Sequence, residues 1–326
     1  MPSAAISATE SRTVPFAMIE EARRYVYEAA IRTPLVRLNY EDAPAEIYLK
    51  LENLQPIGSF KIRGAYNAVR LLPESERKKG VWTVSAGNAA QGVALAARKA
   101  GVPCQVLLEQ DAPDTKFQAT RRLGAEVVKA PYEECWKAVG ERRHPAMRGA
   151  FVHPFEDDAF IAGNASIGFE ILEDLPDVDA VVAGFGGGGL SCGIASLMKE
   201  RRPQAKVFGA EPETAAPLAR SFAAGTLQDF PDFEVSFVDG CGGPSVFPRM
   251  WAIAHHLLAG SIVTTLKETA RAMRIVAERN HVIAEGAGAC AVAAGLSGKV
   301  PGKKIVCVVS GGNIDLSKFR ELTANS

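Results

Sequence analysis

Apolar runs of strand length alternate with helix-length patterns along most of the chain, the order that parallel strands joined by helical crossovers require. Between about residues 80 and 130 the pattern predicts strand Val81–Val84, helix Ala89–Ala100, strand Cys104–Leu108, helix Asp114–Leu123 and strand Glu126–Val128. Gly101 and Gly124 stand where helix C-termini favour glycine. A second series opens at Ala180 with a strand, a glycine-rich turn and a helix to Glu200, continues with strand Lys206–Ala210 and closes on strand Lys304–Val309. The irregular, charged segment Glu141–Asp158 separates the two series. The expectation is an α/β protein of two domains, each an open twisted, mainly parallel sheet flanked by helices, with a site in the cleft between them. Residues 228–250, rich in clustered proline and glycine, read as a long loop.

Composition narrows the partners. The chain has 326 residues, 47% apolar and 23% charged, enough for two domains. Its 37 Lys and Arg balance 37 Asp and Glu, so no charge footprint for nucleic acid or an anionic membrane is expected, and small molecules are the expected partners. Cys104, Cys135, Cys192, Cys241, Cys290 and Cys307 lie far apart with no CxxC pair, and residues 1–20 hold no apolar signal core, so reduced cysteines and cytoplasmic residence are expected. Ala180–Met198 is uncharged for 19 residues, but the glycines at 184 and 186–189 favour a strand, a turn and a helix over a membrane span.

Four segments end a strand or open a helix with glycine or small polar residues: Gly58–Gly64, Ser85–Gly92, Gly184–Gly189 and Ser310–Asn313. In an open α/β sheet such segments line the ligand crevice beyond the carboxyl ends of the strands. GFGGGG at 184–189 can cradle a phosphate on free backbone N–H groups. It also satisfies GxGxxG through Gly184, Gly186 and Gly189, with Glu211 near the end of the next strand, which taken alone supports a NAD-dependent dehydrogenase. A tight turn without a ligand is the plainer alternative. Lys61 opens the helical pattern IRGAYNAVRLL, where the helix dipole disfavours a cation and leaves an amine more nucleophilic, although most lysines are surface charges. Ser85–Ala89 offers the N–H groups of a helix start to an anion, or is simply a cap at Ser85 or Asn88.

LENLQPIGSFKIRGAYNAV at 51–69 resembles the cofactor-lysine segment of the serine/threonine dehydratase family of pyridoxal-phosphate enzymes, which also includes serine racemase. SAGNAAQG at 85–92, AGFGGGGL at 183–190, AEGAGA at 284–289 and VSGGNIDL at 309–316 are similar to the family's other motifs, in its order. The resemblance implies a tryptophan synthase β-like architecture, fold type II. Residues 1–72 and 155–326 would form a large cofactor-binding domain and 73–154 a small substrate-side domain. It further implies pyridoxal 5'-phosphate as cofactor, an amino-acid substrate and a homodimer. Lys61 would anchor the cofactor covalently and act as general base, with Phe60 packing on the cofactor ring. Asn88 would bond the ring hydroxyl, and Gly186, Gly187, Gly188, Gly189 and Leu190 would hold the phosphate. Ser310 would face the ring nitrogen. Glu285 resembles an active-site glutamate, or is a helix N-terminal acid. Ser85, Ala86, Gly87, Asn88 and Ala89 would receive the substrate carboxylate. The implied reaction removes water and then ammonia from a β-hydroxy-α-amino acid of the serine or threonine type. A neutral Ser310 makes the ring a weaker electron sink than an aspartate would, which suits β-elimination.

The chain departs from the family in places. Ala86 replaces the second serine of serine racemase, so two-base racemisation is expected to fail and a dehydratase is preferred. Ala89 stands where threonine dehydratases usually carry histidine. With Phe247, Met250 and Trp251 in the loop GCGGPSVFPRMW, this points to a bulkier substrate such as 3-phenylserine, with threonine as the alternative. A β-replacement enzyme shares the same early steps, but its lysine segment usually differs. At the family's divalent-metal site Glu211 and Ala215 fit but Pro217 replaces a carboxylate, so no metal is expected. The chain stops soon after VSGGNIDL, so end-product feedback is not expected. His144, His153, His255, His256 and His281 lack metal or triad spacing, leaving surface or packing roles.

Overall fold

In the computed structural model, which describes residues 11–110 and 114–324, the chain begins α1 (Phe16–Tyr25), β1 (Leu35–Arg37), β2 (Glu46–Leu51), α2 (Lys61–Leu71), α3 (Glu74–Arg77), β3 (Val81–Val84), α4 (Asn88–Ala100) and β4 (Cys104–Glu109). It continues α5 (Asp114–Arg122), β5 (Glu126–Ala130), α6 (Tyr132–Glu141), β6 (Ala150–Phe151), α7 (Asp158–Asp174), β7 (Ala180–Gly184), α8 (Ser191–Arg201) and β8 (Lys206–Pro212). Then follow α9 (Pro217–Ala224), α10 (Pro248–Leu257), β9 (Gly260–Thr264), α11 (Leu266–Asn280), α12 (Gly286–Leu296), β10 (Lys304–Val309) and α13 (Leu316–Thr323). The elements expected from the pattern are present with ends shifted by a residue or two. The segment expected to be irregular between 141 and 158 contains β6, and the long loop ends at Phe247, where Pro248 starts a helix.

The strands form two sheets. The larger has the order β1-β2-β10-β7-β8-β9 and the smaller β5-β4-β3-β6. Every pairing is parallel except β1 with β2. Both faces of the larger sheet are covered, which is why its central strands are apolar throughout. Val181, Ala183, Val207, Val306 and Val308 face a core shared with residues of α1, α7, α8 and α10. Their alternates Ala180, Val182, Phe208, Ile305, Cys307 and Val309 face a second core with α11 and α12. The smaller sheet packs Val81, Val106 and Leu108 against α2 and α4.

α7 is buried at every position from Phe160 to Ile171, because it is wedged between α2 and α8. Glycines permit the close approach: a Cβ on Gly163 would strike the Arg63 carbonyl of α2, and one on Gly193 of α8 would lie 2.8 Å from the Ile161 carbonyl. The four small-residue segments follow the carboxyl ends of β2, β3, β7 and β10. Residues 180–198 fold as β7, a glycine loop and α8, and among the described residues no helix is long and apolar enough to cross a membrane. All six cysteines are buried and free.

Candidate active site

The lysine segment is held by backbone. Phe60 N–H donates to the Ser310 carbonyl at 3.0 Å and Gly312 N–H to the Gly58 carbonyl at 2.9 Å, with Ser59 bridged antiparallel to Gly311. The chain after β10 is thereby zipped to the chain entering α2. Gly58 has φ +70, and a Cβ there would sit 2.5 Å from Asn313 Oδ1, so the turn requires glycine. Asn313 donates from Nδ2 to the Ile57 carbonyl at 2.8 Å and to Asn88 Oδ1 at 2.7 Å.

Lys61 is the first residue of α2. Its ammonium position is ringed by Phe60, Phe160 and Phe155, with centroids 5.3, 5.4 and 6.0 Å from Nζ, and Nζ donates to the Pro154 carbonyl at 2.8 Å. Ring faces favour a cation, but the desolvation is larger and lowers the amine's pKa to about 8. An amine so placed is available as a nucleophile and base near neutral pH.

β7 delivers the glycine loop opposite. Gly188 has φ +82, and any Cβ on Gly187 would enter the Phe155 ring, while one on Gly189 would lie 2.6 Å from the Phe155 carbonyl. The loop therefore presents bare backbone, and α8 begins with no side-chain cap at Leu190. N–H groups at an uncapped helix start are a receptor for a phosphate. Asn164 of α7 fastens the loop by donating from Nδ2 to the Gly189 carbonyl at 3.2 Å.

Asn88 and Glu285 meet across the site, Asn88 Nδ2 donating to Glu285 Oε1 at 2.7 Å. Glu285 occupies the N-cap position of α12 without making a side-chain cap bond, so the glutamate faces Asn88 rather than its own helix. Ser310 follows β10 directly, at 5% exposure. At the mouth, Ser85 Oγ accepts the Gly87 N–H at 3.0 Å, Gly87 has open space where a Cβ would be, and α4 starts without a side-chain cap. Neither Ser85 nor Asn88 caps α4, so its N-terminus is open to an anion. Gly92 lets α4 press on α2, since a Cβ there would lie 3.1 Å from the Lys61 carbonyl.

Three site features were not expected from sequence. His153 is buried, its Nδ1 accepting the Glu156 N–H at 3.1 Å and its pKa pushed down to about 3, first by burial and then by Arg142, Lys61 and Arg249. It shapes the turn that presents Pro154 to Lys61. Phe155 walls the glycine loop and meets Phe247 edge-on at 5.0 Å, and Phe247 stacks on Trp136 at 6.2 Å. Asn164 is the third, and a lone primary amide inside a buried apolar helix was the available signal. Met250 and Trp251, expected to shape the substrate side, are instead 0% and 1% exposed in the core behind the loop; Met250 backs the cradle, its Cε lying 3.2 Å from where a Cβ on Gly188 would be, and Phe247 packs on Phe155. Glu211 is engaged elsewhere: its oxygens accept N–H groups of Leu218 and Ala219 at 2.9 Å each and the Ser261 hydroxyl at 2.7 Å. The helix that Pro217 starts occupies that carboxylate.

Residues 26–311 match the family model for pyridoxal-phosphate dependent enzymes. The chain is 40% identical over 304 residues to an L-threonine ammonia-lyase of Thermotoga maritima, covering 92% of this chain and 75% of that one. It is 38% identical over 313 residues to the catabolic L-threonine dehydratase TdcB of Escherichia coli K12, covering 94% of each. Its fold is similar to that of maize serine racemase, with a TM-score of 0.87 at 29% identity over 96% of this chain and 98% of the other. A glycine cradle without side chains and a lysine of lowered pKa, both set against Phe155, fit the phosphate and aldehyde ends of that cofactor, and the GxGxxG reading as a dinucleotide loop is set aside. With the family's motifs in order and relatives of this identity covering nearly all of it, the chain belongs to the fold-type II serine/threonine dehydratase family of pyridoxal-phosphate-dependent enzymes.

Proposed function

We propose that this lyase converts a β-hydroxy-α-amino acid to a 2-oxo acid and ammonia, with Lys61 as both cofactor anchor and general base. The observation that carries the role is the Lys61 amine, enclosed by three phenyl rings, held by the Pro154 carbonyl and lowered to about 8. Bound pyridoxal phosphate supplies the electron sink for charge developing at Cα. Gly186–Leu190 hold the phosphate end by backbone N–H groups, and the open start of α4 at Ser85–Ala89 takes the substrate carboxylate. As general base Lys61 would accept the Cα proton, with the Pro154 carbonyl keeping the amine in place. Ser310, carrying no charge, would face the ring nitrogen, and Asn88, bonded to Glu285, would lie toward the ring hydroxyl. A homodimer accompanies this reading, supported by Tyr25, Tyr27, Ile31, Leu54 and Leu71, large apolar residues each more than a third exposed.

The aromatic run Phe155–Phe247–Trp136, together with the small side chains of Ala86 and Ala89 in the segment assigned to the substrate carboxylate, favours a finer reading, a β-aryl substrate of the 3-phenylserine type. Purified protein is mixed with threonine or 3-phenylserine, and its visible absorbance and 2-oxo acid production are followed, with Lys61→Ala as control. The activity proposal expects product from at least one amino acid and none from the variant; no product from any β-hydroxy amino acid would refute it. Turnover of threonine with none of 3-phenylserine would refute the finer reading alone.

A further inference from the structure

Asn164 is 0% exposed, at the middle of the wholly buried face-to-face packing of α7. A primary amide in such a place costs stability unless both its ends are bonded. Its Oδ1 accepts the Gly64 N–H at 3.1 Å, and its Nδ2 donates to the Gly189 carbonyl at 3.2 Å. Gly64 lies in the first turn of the helix that Lys61 opens, and Gly189 is the last glycine of the cradle. One side chain therefore ties the covalent end of the cofactor site to its phosphate end. The peptide bond is planar, so fixing the Gly189 carbonyl also fixes the direction of the Leu190 N–H, which a glycine peptide would not otherwise hold. The surrounding packing allows little compensation: a Cβ on Gly64 would collide with the Phe160 ring, and one on Gly193 would lie 3.1 Å from the Ala165 N atom.

We propose that Asn164 is a positioning residue that sets the span between the Lys61 amine and the Gly186–Leu190 cradle, so that pyridoxal phosphate is met at both ends at once. A ligand gripped at two points gains from the second grip only when the span matches. Loss of Asn164 should therefore cost the two-ended ligand more than one that engages the lysine alone. Pyridoxal, which has the aldehyde and lacks the phosphate, is that one-ended probe. Simple helix packing, by contrast, would lower the stability of the apoprotein without separating the two ligands.

The experiment titrates apoprotein at pH 8.5 with pyridoxal phosphate and, separately, with pyridoxal, following visible absorbance, for the wild type, Asn164→Asp, Asn164→Leu and Ser166→Ala. The melting temperature of each apoprotein is recorded alongside. Asn164→Asp keeps an acceptor for the Gly64 N–H but, as the carboxylate that pH 8.5 favours, has no donor for the Gly189 carbonyl, so it isolates the cradle limb and decides the matter even where the leucine variant does not fold. Both Asn164 variants are expected to weaken pyridoxal phosphate about tenfold or more, and pyridoxal by clearly less. Ser166, also buried on α7, bonds Gly163 and Arg63 and does not touch the loop; Ser166→Ala is expected to lower the melting temperature and leave the ratio of the two affinities unchanged. An Asn164→Asp ratio equal to the wild type's, whatever happens to the melting temperature, would overturn the proposal.

Discussion

At the scale of single residues, two ionisable groups shifted by desolvation make testable claims. Desolvation alone brings Lys61 to about 8 from an ordinary 10.5. The rate at which apoprotein captures pyridoxal phosphate should rise with pH and level off just above 8, with Lys61→Ala as the blank in stopped-flow absorbance. A rate still climbing at pH 10 would show a solvated amine. Glu211 moves the other way: burial raises its pKa to about 7 against the pull of Ser261, Leu218 and Ala219. The folded state then holds a proton between the unfolded value of 4.5 and about 7 that the unfolded chain gives up. The stability this provides is complete below 4.5 and fades as pH rises through 7, by up to about 3 kcal/mol. Melting profiles from pH 4.5 to 8 should fall more steeply for the wild type than for Glu211→Gln, which cannot ionise. Lys61 was legible in sequence because a lysine at a helix start, flanked by a recognisable motif, is visible locally. Pro154 and Phe155 were not, since they come to Lys61 from more than ninety residues away along α7's leading turn.

At the scale of elements, the glycine loop shows what kind of pattern survives reading. β7 and β10 are apolar on both faces and announce themselves, and the run of glycines between β7 and α8 reads as backbone offered to a ligand or as a tight turn, which the ordered motifs around it resolve in favour of the ligand. β2, which lies beside β10 in the larger sheet, is hard to read as a strand because Glu46 and the fully buried Lys50 interrupt its apolar run. α7 is hard to read because it is buried all round and carries little of the one-sided periodicity by which surface helices are recognised. The loop's packing yields a prediction at this scale. A Cβ on Gly187 meets the Phe155 side chain, whereas one on Gly189 meets the Phe155 backbone carbonyl at 2.6 Å. Gly187→Ala and Gly189→Ala should each weaken pyridoxal phosphate binding about tenfold or more. Adding Phe155→Ala should restore much of the affinity to the first and little to the second, after correction for the Phe155→Ala single variant. Equal rescue of both, read from absorbance titrations of the five variant apoproteins and the wild type, would show that the cradle is not shaped by the Phe155 ring.

For the molecule as a whole, the helix that carries Lys61 is anchored by four fully buried charges drawn from distant stretches. Arg63 pairs with Glu52 at 2.8 Å and with Glu170 at 2.7 Å, and Lys50 pairs with Glu170 at 2.6 Å. Tyr27 donates to Glu170 and Thr33 to Glu52, so the segment before β1, the end of β2, α2 and α7 share one neutral network. Burial raises the Glu170 pKa, but Arg63 and Lys50 pull it down further, leaving it below the ordinary carboxylate range. The stability carried by that shift is present above the unfolded carboxylate pKa and is lost as pH falls through the depressed folded value. Glu170→Gln removes the carboxylate while leaving two buried cations facing one anion, and should cost about 3–5 kcal/mol in urea unfolding of the apoprotein at pH 7. Because the penalty lies in the uncompensated charge rather than in the lost bond, removing a cation as well should help. The double variant Lys50→Met, Glu170→Gln is expected to be more stable than Glu170→Gln alone, although it has fewer polar contacts. A double variant less stable than the single would mean that Lys50 holds the fold through its bond to the Thr33 carbonyl at 2.5 Å rather than through charge balance.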